Sequence, residues 1–156
     1  MARDRRNSPA PRGDRVRTDT GELGLVAMRS LDSVARAEVL LVPGGGRRGT
    51  TATMANTAVL DWIRRIHRGS TWTTSVCTGS LILGAAGLLR GLPATTYWAS
   101  RPYLADEGAV YTPGRFVEAG KVITAAGVSA GIDGSPEKAG PELQQLALKL
   151  LADSAR

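Results

Sequence analysis

Short apolar runs alternate with longer stretches of helical periodicity along the chain. Val39-Leu40-Leu41-Val42 is continuously apolar, β-branched at both ends, and stops at Pro43 and three glycines. That is how a strand buried on both faces ends in a tight turn. Across residues 52–68 the positions of Val59, Trp62, Ile63 and Ile66 fall at i, i+3, i+4 and i+7 and predict a helix with one apolar face, stopped by Gly69. Thr71-Trp72-Thr73-Thr74-Ser75-Val76 is rich in β-branched residues and predicts a second buried strand that runs straight into Cys77-Thr78-Gly79. A helix over residues 80–89 is apolar nearly all round, so it should be covered on both sides. Residues 94–96 read as a third, short strand. Residues 115–118 and 121–124 read as a hairpin around a two-residue turn at Ala119-Gly120. Leu31-Asp32-Ser33-Val34 looks like one helical turn, and Leu143, Leu146, Leu150 and Leu151 predict a last helix over residues 141–152.

Strand, helix, strand, helix, strand is the order of an α/β protein with a mostly parallel sheet. Ligands of such sheets bind beyond the carboxyl ends of the strands. Two loops belong there, Pro43-Gly44-Gly45-Gly46 and Cys77-Thr78-Gly79. If their strands are neighbours, the loops face each other across one crevice.

Composition narrows the picture. The chain of 156 residues is one domain by length, and 42% hydrophobic with 22% charged residues is a soluble globular balance. The net charge is +6, but residues 1–17 hold six arginines against Asp4 and Asp14, a local +4 that leaves +2 for the rest. We therefore expect a disordered basic tail over residues 1–15 and a single domain over residues 16–156. No aromatic residue is interleaved with those arginines to stack on bases, which argues against a nucleic-acid-binding arm. Cys77 and His67 are the only cysteine and histidine, so disulfides, thiolate zinc clusters and multi-imidazole metal sites are excluded. No run approaches the ~18 apolar residues of a membrane span. Arg5-Arg6 is followed by no apolar region, so it is not read as an export signal. The expected compartment is the cytoplasm, where a lone thiol stays reduced.

Cys77 falls where strand becomes helix. Unpaired N–H groups and the positive end of the helix dipole stabilise a thiolate there. A sharp turn at this point pushes the side chain out of the sheet, as in a nucleophile elbow. The N–H groups after Cys77, with those of Gly45 and Gly46, would cradle a developing negative charge. By spacing alone, Cys77 is equally well a small buried hydrophobe.

The wording of the motifs separates these readings. Val42-Pro43-Gly44-Gly45-Gly46, Ser75-Val76-Cys77-Thr78-Gly79, Ala85-Ala86-Gly87-Leu88-Leu89, Ala94-Thr95-Thr96-Tyr97-Trp98 and a segment from Thr124 to Asp133 occur in this order. Together they resemble the ThiJ/PfpI family of the class I glutamine amidotransferase-like fold. Within it the chain is most similar to the isonitrile hydratases (cyclohexyl-isocyanide hydratases) and to the ligand domains of AraC-type regulators. The resemblance implies a flavodoxin-like three-layer sandwich, a strained elbow at Cys77 and a pocket walled by Gly44, Gly45 and Gly46, with Gly79 and Tyr97 beside it. It implies catalytic roles for Cys77 and Thr78. Thr78 stands where the peptidase-like branch has histidine, which argues against a protease. Three departures follow from the same resemblance. A first βαβ unit, with the acidic residue near the cysteine, has no match here. Tyr97 replaces a histidine. Gly134-Ser135-Pro136-Glu137 interrupts the helix that follows Gly-Ile-Asp in relatives. Loss of the first strand should expose apolar surface and strand edges.

The expected chemistry is thus hydration of an isonitrile to an N-substituted formamide, at reduced activity, with no cofactor and no metal. The alternatives are a ligand-sensing or regulatory domain without turnover and a thiol oxidation sensor. A helix-turn-helix is not expected. The expected partners are a small molecule and a second copy of the chain. His67 is expected to be an exposed residue at a helix end, remote from the elbow. Trp62, Trp72 and Trp98 are expected in the core or the pocket wall, and Asp133 at a helix start. Arg47 and Arg48 are expected to be solvated.

Overall fold

A computed structural model describes residues 15–17 and 24–133. The central sheet has the order β3-β4-β8-β7, formed by Val39–Val42, Trp72–Val76, Val122–Ala125 and Phe116–Ala119. β3, β4 and β8 run parallel, and β7 closes the sheet antiparallel to β8. This is the expected α/β arrangement. It includes a short antiparallel pair, β1 (Arg15–Arg17) with β2 (Gly24–Val26), so the boundary of the supposed tail falls inside a strand. A second small sheet pairs β5 (Pro93–Ala94) with β6 (Val110–Tyr111). The predicted strand at 94–96 therefore lies outside the main sheet, and it is shorter. Thr95 and Thr96 instead pack as buried hydroxyls.

The helix expected over 52–68 is two helices, α1 (Arg47–Met54) and α2 (Thr57–Gly69). Asn56 separates them. Its side chain accepts the Val59 N–H at 3.3 Å and starts α2 afresh. Leu60, Ile63 and Ile66 of α2 are buried against Leu40 and Val42 of β3. Gly69 is the last residue of α2 rather than the residue after it, and Ser70 caps the end through the His67 carbonyl. α3 (Gly79–Ala85) is shorter than expected, because Gly87 takes a positive φ just beyond it. Leu81, Ile82 and Leu83 are all buried, as an all-round apolar helix requires. α4 (Arg101–Asp106) lies in a stretch to which no element was assigned from sequence. The hairpin turns at Gly120-Lys121, one residue later than expected. Ala119 pairs with Val122, and the left-handed position falls on Gly120.

α5 (Val128–Asp133) lies on the other face of the sheet, where a Cβ on Gly131 would meet the Val76 side chain at 3.1 Å. Asp133 thus lies within a helix that begins at Val128 and does not start one. In the parallel register Leu41 stands beside Thr74, on the same face as Val76. Leu41 is 58% exposed, so β3 is not buried on both faces. β3 is also an edge strand among the described residues, with an apolar groove of about 440 Å³ along it lined by Leu40, Leu41, Val42 and Trp62. The predicted helix over 141–152 and residues 1–14 lie outside the described residues.

Candidate active site

Parallel pairing of β3 with β4 sets Val42 opposite Ser75, so the chain leaves both strands at the same end of the sheet. The two loops are neighbours across one crevice. Cys77 takes φ +59°, alone in the left-handed region among the described residues other than glycine. Such a conformation costs about 1–3 kcal/mol and persists only where its surroundings impose it. Here three hydrogen bonds do so. The Cys77 N–H donates to the Ala125 carbonyl at 2.9 Å. The Cys77 carbonyl accepts from the hydroxyls of Ser80 and Thr96, each at 3.1 Å. Both hydroxyl residues are fully buried, so the elbow is held from the strand side and the helix side together.

Two glycines make the crevice narrow. A Cβ on Gly44 would meet Cys77 Cβ at 2.7 Å and the Val76 carbonyl at 2.9 Å. A Cβ on Gly79 would lie 2.2 Å from the Val42 carbonyl. Neither glycine lines the cavity at the thiol. Their work is to let the loop and the elbow touch, which corrects the expectation that Gly44 walls the pocket. Thr78 is buried beneath the glycine loop. Its Oγ1 accepts the Gly45 N–H at 3.0 Å and donates to the Gly45 carbonyl at 3.0 Å. Thr50 Oγ1 lies 3.1 Å from it and reaches the same carbonyl. The Gly45 N–H is therefore occupied by Thr78 and does not serve the cradle expected of it. The Thr78 hydroxyl is likewise a clamp on the loop.

The half-buried thiol of Cys77 opens on a cavity of about 760 Å³. Gly45, Gly46, Thr78 and Tyr97 line it, as do Thr50, Met54 and Leu81. Tyr97 stands at the rim with its ring 5.4 Å from that of Trp98. Trp98 is 66% exposed and belongs neither to the core nor to the cavity wall. Trp62 is partly buried, and its indole N–H donates to the Val34 carbonyl. Trp72 is partly buried, and its indole N–H finds no partner.

Three charged residues on the wall went unassigned to the site from sequence. Arg47 opens α1 beside the glycine loop, and Asp106 and Glu107 close α4. No ion pair joins Arg47 to either carboxylate. Only the folded position of α4 brings the two carboxylates in, and nothing in the 101–107 pattern pointed toward Cys77. His67 sits at the opposite end of β4 from the elbow, as expected, but it is half-buried. Its Nδ1 lies 2.8 Å from the Thr73 hydroxyl. Burial, and secondarily the Lys121 ammonium, lower its pKa. Among the described residues no three of His, Cys, Asp and Glu gather as a metal site. No helix among them is long and apolar enough to cross a membrane.

Comparison with known proteins places this geometry. The model of the DJ-1/PfpI family matches residues 8–134. The chain is 42% identical over 118 residues to an isonitrile hydratase of Pseudomonas putida, covering 76% of this chain and 50% of that protein. It superposes on a ThiJ/PfpI family protein from Pseudomonas syringae with TM-score 0.73 at 40% identity, covering 80% of this chain and 51% of that one. On DJ-1beta of Drosophila melanogaster the TM-score is 0.69 at 25% identity, with 89% and 77% covered. The chain thus spans about half the length of the two Pseudomonas relatives. With a flavodoxin-like α/β sheet, a left-handed cysteine between β4 and α3, and a family model that matches most of its length, the chain belongs to the DJ-1/PfpI family.

Proposed function

We propose that the protein is an isonitrile hydratase-like lyase that works through the Cys77 thiolate. The observation that carries this reading is the left-handed Cys77 at the mouth of a cavity, in a chain 42% identical to an isonitrile hydratase. The terminal carbon of an isonitrile is both basic and open to addition. In the proposed step the sulfur bonds to that carbon, which takes up one proton, giving a thioformimidate. Water then adds to the same carbon and the nitrogen takes a proton. The hydroxyl then gives up its proton, replacing the one taken up by carbon, as the carbon–sulfur bond breaks and releases the N-substituted formamide and the thiolate. One water is consumed and no electron is transferred, so the reaction needs no cofactor.

The N–H groups of Thr78 and Gly79 follow the reacting sulfur directly and support charge developing at the bound head. Thr78 acts mainly by fixing the glycine loop, because its hydroxyl is committed to Gly45. Tyr97 lines the cavity where relatives are expected to carry histidine, and a phenol is a poor general base beside an imidazole. That substitution favours slow turnover, and it favours a ligand-sensing role as the second reading. The small molecule is the primary partner, and the cytoplasm suits the free thiol. The edge of β3, open among the described residues, and the exposed Leu41 support pairing with a second copy.

The deciding experiment follows formamide formation from an alkyl isonitrile by the wild type and by Cys77→Ala. Turnover lost in the variant is expected. Equal rates would remove the thiol from the mechanism, and binding without turnover in the wild type would favour the sensing role.

A further inference from the structure

The cavity has two unlike ends. At one end stand Cys77, the glycine loop and Arg47, which opens α1. At the other stand Asp106 and Glu107, where α4 ends. Met54, Leu81 and Tyr103 lie on the wall as well and make the space between largely apolar. The position of Glu107 is fixed by packing. A Cβ on Gly84 would meet Glu107 Cβ at 2.6 Å, so only glycine at 84 lets the end of α4 seat against α3. Gly84 is five residues beyond Gly79, which places this contact roughly 8 Å along α3 from the elbow. Asp106 and Glu107 also border a polar cleft on their far side with Arg64 and Arg90. Arg64 is committed elsewhere, to Asp61 and to the Ala86 carbonyl. Among the described residues no cation is paired with either carboxylate.

We propose that the cavity selects an isonitrile whose apolar body ends in a cation, a protonated amine above all. The reactive carbon lies at Cys77, the body runs past Leu81 and Tyr103, and the cation meets Asp106 and Glu107. The head fits the same polarity. An isonitrile carries formal negative charge on its terminal carbon, and that carbon would lie at the end holding Arg47. A neutral ligand of equal length would gain nothing from the two carboxylates, and an anionic one would be repelled by both. This inference rests on the reading of Cys77 as the reacting group, and it adds the class of substrate.

The first test does not depend on hydration. Trimethylammoniohexyl and sulfonatohexyl methanethiosulfonates both convert Cys77 to a mixed disulfide and release methanesulfinate, and they carry opposite charge across the same spacer. Their labelling rates are compared on the native wild type, on Glu107→Gln and on the double variant with Asp106→Asn. The ratio of cationic to anionic rate should fall roughly tenfold in the double variant at low salt. In the wild type it should shrink toward one as salt rises to ~0.5 M, which reads the same charge without any variant. A ratio unchanged by both substitution and salt would overturn the inference. The second test compares kcat/KM for a dimethylaminoalkyl isonitrile and its isopropyl isostere, where the cation should be preferred in the wild type only. Turnover of both at equal efficiency would overturn the substrate class and spare the hydratase reading. A charge preference in labelling with no turnover of either would sink the hydratase reading and leave the charge selection standing.

Discussion

The left-handed backbone of Cys77 holds free energy that a change of side chain can release. Cys77→Gly should raise stability by about 1 kcal/mol, because glycine adopts φ +59° without steric cost. Urea denaturation would measure this, and the same variant should lose all thiol chemistry. A stability gain coupled to loss of function is what a strained functional residue gives and what a relaxed core cysteine would not. Gly79→Ala should act the other way. Its new methyl group would lie 2.2 Å from the Val42 carbonyl, a backbone atom with nowhere to go. A loss of about 2 kcal/mol or more is expected by the same measurement. Thr78→Val keeps the volume of a buried side chain but leaves the Gly45 N–H without its partner. The cost should be about 1–3 kcal/mol, and labelling of Cys77 should change as the glycine loop loosens.

At the scale of elements, capping residues decided what periodicity could not. The apolar spacing from Val59 to Ile66 was legible and correct in kind, and Ile63 and Ile66 are indeed buried. The break at Asn56 was missed because an amphipathic stripe carries no mark of where one helix yields to the next. The same limit hid α4. Its few residues contribute one fully buried side chain, Leu104, too little for a periodic signal. Yet α4 brings Asp106 and Glu107 to the cavity. The half of the site on β4 and the glycine loop was readable, since adjacent parallel strands must end together. The half on α4 depended on tertiary packing against Gly84.

His67 supplies an element-level pH test. Its folded pKa is lowered by burial at the end of α2 and by Lys121, whose ammonium donates to the His67 and Ser70 carbonyls. The unfolded chain, with an imidazole near its ordinary value of about 6.5, therefore binds the proton first as pH falls. The stability this residue contributes is present above that value and declines below it. Urea midpoints between pH 7.5 and 5 should fall in the wild type and fall less in His67→Asn.

For the whole molecule, the two faces of the sheet differ in cover. Among the described residues one holds α2 and α3 over Leu40 and Val42, and the other carries α5 against Val76 and leaves Leu41 at the surface of an edge strand. Such an edge invites pairing with another strand. Leu41→Lys should leave the unfolding free energy within about 0.5 kcal/mol and should reduce self-association in sedimentation velocity. A large loss of stability would mean that the face is covered in solution. The α/β order was legible because strand and helix periods differ. From the run itself the exposed side of β3 was not, because a continuous apolar run reads the same whether one side is packed or both. The resemblance, through its unmatched first strand, is what pointed to exposed apolar surface and strand edges.

The central claim is that the sulfur of Cys77 is held at an open elbow and not stored in the core. The rate of Cys77 labelling by a small neutral thiol reagent, native against urea-unfolded at one pH, tests it most directly. The native rate should lie within about tenfold of the unfolded one, since no unfolding is needed to reach a half-exposed thiol. Protection by several orders of magnitude, lifted only by global unfolding, would contradict it.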